Sequence, residues 1–349
     1  MRHVLKRFLE LPNVFSSIQD YLEKLGQNPG KLSNVVQGTL LDAFEYGPSD
    51  ICNRIPVLHC KVSALQDCSR NLSASEYLCL ARYLCLMVGD LIPEGNQVWK
   101  LHLILREIVE ILTSPVIDCN IKLYIQTLVE EHHKLYINCF GHLKPKHHFL
   151  IHHPALLEGI GPVVHLSTLA SERNHRRGKK YARVSNSRVN TAKPVAVKFQ
   201  LMLSKRLSRP DNFGVRVETF KVQNVRLHLL PNYLAIAESV PLNADEVVCT
   251  CKKVEVSGTM YCLKMVIVIS IGDLMPSFGR ITNIFIVNDD VYLVVKKFET
   301  VGFVNHYFSY EIRETEVFVC LRQQDMISHV PLWAREVNGF EVVCLKHGL

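Results

Sequence analysis

Apolar periodicity changes once along this 349-residue chain, and that change limits the fold more than any single motif. Up to about residue 207, apolar side chains recur at spacings of three and four; beyond it they come in short β-branched and aromatic runs. Ser73-Ala74-Ser75-Glu76 has the form of a capping box, which predicts a helix from there to Val88. Trp99 to Leu112 and Asp118 to Phe140 carry the same helical spacing, and residues 3–25 read as a helix divided at Pro12. After the change, KMVIVISIG, RITNIFIV, VYLVVKKF, HYFSYEI and VFVCL read as strands, with Asn288-Asp289-Asp290 as a hairpin turn. Helices first and strands last is an α+β pattern, not the alternation of a parallel α/β sheet. The expectation is a mainly helical N-terminal two-thirds followed by a small β-barrel, SH3-like, or sandwich over 245–349. The helical part divides into 1–50 and 51–210.

A hydrophobic content of 48% supports a buried core without covalent help. None of the twelve cysteines forms a CxxC pair, so finger and ribbon zinc spacings are missing. The opening MRHVLKRFLELP is broken by Arg7 and Glu10, unlike a secretory signal, and reads as an ordinary amphipathic helix. The longest apolar run, Met265 to Ile271, is far too short for a membrane span. The expected setting is the reducing nucleus or cytoplasm, with no secretion and no membrane partner. No Walker loop, GxSxG elbow or dinucleotide fingerprint occurs, so no nucleophile and no cofactor is expected.

The net charge of +7 is concentrated in one place. Residues 172–209 hold twelve Lys/Arg and one acid, Glu172, while the rest of the chain is slightly acidic. In a helix beginning at Glu172, Arg173, Arg176, Arg177 and Lys180 fall on one stripe, and Lys179 and Arg183 extend it. Cations without interleaved acids repel one another unless a polyanion neutralises them, which points to a nucleic-acid backbone. The plainer readings are a solvated face or an import signal, and Glu172 read alone is a salt-bridge partner.

KPKHHFLIHHP, residues 144–154, packs four of the sixteen histidines together. With Pro145 at a helix start, His148 and His152 share a face at i and i+4, while His147 and His153 point elsewhere. That spacing lets two imidazoles reach one cation, but two ligands without an acidic partner fall short of a structural zinc site. Hydrogen-bonded, half-buried histidines are the expected reading, with no metal.

Taken together, Pro145-Lys146, His148-Phe149-Leu150, His152 and Pro154 resemble the PKxHFLxHYP segment of proteins derived from CACTA (En/Spm-like) DNA transposons. Gly161-Pro162 follows as in that family, and Leu169-Ala170-Ser171-Glu172-Arg173-Asn174-His175 resembles its RFEAKH-type motif, with Glu172 and His175 matching. Phe8-Leu9-Glu10-Leu11-Pro12 and Asn34-Val35-Val36-Gln37-Gly38 resemble its FFELP and NVxQG openings. Ser277-Phe278-Gly279-Arg280-Ile281, His306-Tyr307-Phe308-Ser309-Tyr310 and Pro331-Leu332 extend the likeness into the β-rich end. His148 and His152 match the family pair; His147 falls at a variable position and His153 stands where the family has Tyr.

The resemblance implies a remnant of an RNase-H-like transposase core. It also exposes a gap: the family's YDDFE…NPLGSH and GDN stretches are missing where Tyr46-Gly47-Pro48-Ser49-Asp50 runs straight into Ile51-Cys52. The first two catalytic acids would lie in that gap, leaving Glu172 as the remnant of the third. Strand transfer needs two divalent cations clamping the attacking and leaving oxygens, and one glutamate among arginines cannot seat them. The expectation is therefore an inactive, transposon-derived protein whose basic segment contacts nucleic acid without sequence preference. The alternative is a structural or protein-interaction fragment acting through its β-domain, and an active nuclease would need the missing acids.

Overall fold

The computed structural model describes residues 44–54, 73–167, 178–184, 190–208, 215–240, 243–272 and 275–349. The helix expected over 3–25 and the FFELP- and NVxQG-like openings lie outside these residues.

Most helices precede the strands, as the periodicity predicts. Helix α1 (Ala74–Val88) opens on the capping box: Glu76 N–H donates to the Ser73 hydroxyl at 3.4 Å, and Ser73 N–H donates to the Glu76 carboxylate at 2.6 Å. Helix α2 (Gln97–Thr113) is capped by Asn96, whose Oδ1 accepts the N–H groups of Val98 and Trp99 at 2.9 and 3.1 Å. Helix α3 (Ile121–Phe140) ends at Gly141, where φ of +86° stops the helix without a Cβ penalty. Pro145–His152 is a 3-10 run instead of the expected α-helical turn, and α4 (His153–Ile160) continues from it. Helix α2 is apolar on two sides. Trp99, Leu101, Leu105 and Val109 join α1 in one buried cluster, while Ile104, Ile108 and Leu112 meet α3, α4 and Leu150 in another. A helical piece over residues 178–183, helix α5 (Ala192–Leu207) and a short α6 (Tyr233–Ser239) follow. None of these helices is long and apolar enough to cross a membrane.

The strands begin earlier than expected, at Val217. Strands β1 (Val217–Phe220), β4 (Lys253–Val256) and β5 (Thr259–Cys262) form a three-stranded antiparallel sheet. The other strands are β2 (Gln223–Arg226), β3 (Val247–Thr250), β6 (Val266–Ile271), β7 (Pro276–Val287), β8 (Asp290–Val304), β9 (Ser309–Arg322), β10 (Ala334–Val337) and β11 (Phe340–Val343). They form a larger sheet in the order β10-β11-β9-β8-β7-β3-β2, with β6 paired to the first half of β7. Asn288 and Asp289 make the β7–β8 turn with φ of +49° and +67°, the backbone a tight hairpin requires. Val266 and Leu332 exchange two backbone hydrogen bonds of 3.0 and 2.7 Å, tying β6 to the residues just ahead of β10 at the far edge.

Two expected strands prove to be one. HYFSYEI and VFVCL share β9, except that Asn305–Tyr307 is a 3-10 turn and Phe308 is left-handed at φ +48°. The intervening Arg313-Glu314-Thr315-Glu316 has the composition of a turn, yet it continues the strand. Lys296 on β8 holds both Glu314 and Glu316 at 3.1 Å on the outer face.

The boundary between helices and sheet is closed by buried contacts. Tyr307, Val342 and Cys344 belong to the same apolar cluster as α1 and α2. Trp99 Nε1 donates to the His306 carbonyl at 3.1 Å, and His306 Nε2 bonds the Gly89 carbonyl at 2.7 Å. The fully buried Arg106 donates to the Leu345 carbonyl at 2.7 Å and pairs with Glu110 at 3.0 Å. Asp50 is buried against Lys346 at 2.8 Å and accepts the Tyr83 hydroxyl at 2.8 Å. Burial opposes its ionisation, but Lys346 and Tyr83 outweigh that and hold Asp50 below the usual carboxylate range.

Candidate nucleic-acid interface

The described part of the basic segment consists of two helical pieces, residues 178–183 and α5. Asn190 Oδ1 accepts the Lys193 N–H at 3.2 Å at the start of α5, and Pro194 sits in the first turn, where no N–H is needed. The Tyr181 hydroxyl donates to Met202 Sδ at 3.6 Å, and Lys198 Nζ stands 6.0 Å from the Tyr181 ring centre. These contacts join the two pieces into a basic arm.

Lys179, Lys180 and Arg183 are exposed on the first piece, and Lys193, Lys205 and Arg206 are exposed on α5. No residue of α5 is buried. Among the described residues, none of these cations forms a salt bridge with a carboxylate. That contrasts with the β-sheet surface, where Arg280, Lys296 and Arg322 are each neutralised by Asp or Glu. The exposed cations of the arm therefore keep their full field for a solute anion. Glu172, Arg173, His175, Arg176 and Arg177 lie outside the described residues, so the sequence stripe is represented here by Lys179, Lys180 and Arg183.

The four histidines of KPKHHFLIHHP sort differently from their spacing. His148 and His152 do meet, with Nε2 atoms 3.0 Å apart and rings nearly perpendicular at a centroid distance of 4.7 Å. His148 is exposed rather than half-buried. His153 bonds the Phe149 carbonyl through Nδ1 at 2.9 Å. His147, set aside on spacing, is the buried one. Its Nδ1 accepts the Lys144 N–H at 3.0 Å, and its ring lies 4.3 Å from Tyr136 and within 6 Å of His132 and His133 on α3. Burial, and then the neighbouring imidazoles, push His132 down to about 3 and His133 to about 4. The cluster is a buried aromatic wedge that fixes the 3-10 run onto α3. Its sequence signal is the adjacent pair His132-His133 on the apolar side of a predicted helix.

Among the described residues, no group of three or more His, Cys, Asp or Glu side chains is arranged to hold a metal ion. No protein-family profile, no curated protein and no solved structure matches this chain.

Proposed function

We propose that this chain is a transposon-derived protein that grips nucleic-acid backbone through its basic arm, without sequence preference and without phosphoryl-transfer activity. The observation that carries this reading is the row of exposed, carboxylate-free cations Lys179, Lys180, Arg183, Lys193, Lys205 and Arg206, in a segment whose only acid is Glu172. Inactivity follows from the carboxylate count in that segment and from the absence of the family's acidic central stretches in the sequence. The C-terminal sheet reads as a small SH3-like barrel closed by the Val266–Leu332 bridge, and the working place of such a protein is the nucleus or cytoplasm.

A second reading, an interaction fragment acting through the β-rich part, draws on one observation. Leu234, 78% exposed, lines a hollow together with Asn232, Tyr233, Ala235, Glu238 and Phe318. Binding to a random-sequence DNA duplex separates the two. Combined charge reversal at Arg176, Arg177 and Lys180 is expected to abolish a gel shift given by the unaltered chain. Equal binding by both, or none by either, leaves only the second reading. Manganese-dependent nicking that vanishes in Glu172→Ala would overturn inactivity.

A further inference from the structure

The Nε2 separation of the His148–His152 pair, that of a hydrogen bond, is also the separation of two nitrogens on one shared ion. Two imidazole nitrogens held about 2.0–2.1 Å from one ion, in adjacent coordination positions, stand about 3.0–3.4 Å apart. The Nε2 atoms of His148 and His152 are 3.0 Å apart, on an exposed turn. Four features fix that turn independently of the pair. Pro145 opens it and Pro154 opens α4 behind it. Leu150 is anchored in the α2–α3–α4 core. The neighbouring histidines are already engaged, His147 with the Lys144 N–H and His153 with the Phe149 carbonyl. Closing two nitrogens on an ion thus needs little backbone rearrangement.

We propose that His148 and His152 form a two-histidine site for a late first-row divalent ion of the Zn²⁺, Ni²⁺ or Cu²⁺ class, with water in the remaining positions. Neutral imidazole suits these ions, whereas Mg²⁺ and Ca²⁺ take oxygen ligands. In the metal-free chain one Nε2 carries a proton and donates it to the other. Binding moves that proton to Nδ1, so that both Nε2 lone pairs face the ion. With two protein ligands, the site is an exchangeable one at the surface rather than a structural centre.

The test is calorimetric titration of the intact chain with Ni²⁺ alone, followed by the imidazole resonances of the unaltered protein. The tightest site is expected to broaden the His148 and His152 signals first. His148→Ala and His152→Ala should each weaken it by about tenfold or more, the gain from holding a second ligand on the same turn. His142→Ala, which removes an exposed histidine outside the pair, should leave it unchanged. The proposal is overturned if the double substitution His148→Ala, His152→Ala binds Ni²⁺ as tightly as the unaltered chain, or if other resonances broaden first. It also fails if each single variant binds as well as the parent, which would leave the pair a hydrogen bond only.

Discussion

Buried imidazoles are the residues on which this chain's response to acid turns. His132 and His133 are depressed to about 3 and 4, and His102, buried beneath Trp99 and near Arg106, to about 3. In the unfolded chain each titrates near 6.5, so the unfolded state takes up protons first as pH falls. Their contribution is complete above pH 6.5 and is lost progressively on the way down, for His133 by about pH 4 and for His102 and His132 by about pH 3. Glu110 and Glu341, raised by burial, act in the opposite sense, while His153 and His347, lowered by burial, act with the three. Asp50, held low, loses its contribution only at more acid pH. The thermal midpoint is therefore expected to be level from pH 8 to 6.5 and to fall steadily from 6.5 to 4. His132→Leu should flatten part of that slope. A midpoint unchanged between pH 7 and 4.5 would show that these rings are not held neutral by the fold.

At the scale of elements, the contact between the end of α1 and the turn after β8 ties helices to sheet. A Cβ placed on Gly89 would meet the Tyr307 ring at 2.8 Å, while the Gly89 carbonyl is held by His306. Gly89→Ala should therefore cost about 1–3 kcal/mol by overpacking, read as a lower urea midpoint with an unchanged slope. A neutral result would mean that the aromatic turn moves freely from the helix end. Elements with a strong local signal were legible in advance. The capping box at Ser73, the three- and four-residue spacing of α2 and α3, and the Asn288-Asp289 turn each state their structure within a few residues. What depended on distant partners was hidden. VETFKVQNVR looks too polar for strands until β1 and β2 find β4 and β3 to pair with. The charged middle of β9 reads as a turn until Lys296 lies across from it. His147 looked incidental because its partners lie on α3, a separate element.

Over the whole molecule, Arg280, Lys296 and Arg322 on the sheet are paired with carboxylates, buried ion pairs hold the junction, and the arm carries a run of exposed cations without carboxylate partners. The His148–His152 pair was legible from spacing because both rings sit on one turn, whereas the arm's exposure was not, since composition cannot distinguish a solvated helix from one packed against acids. The account stands on that arm meeting a polyanion through its phosphates. The most direct measurement is the affinity for a non-specific DNA duplex across a range of salt concentrations. With about six side chains on phosphates, the plot of log affinity against log salt is expected to fall with a slope of about −5. Binding that is indifferent to salt would contradict the account.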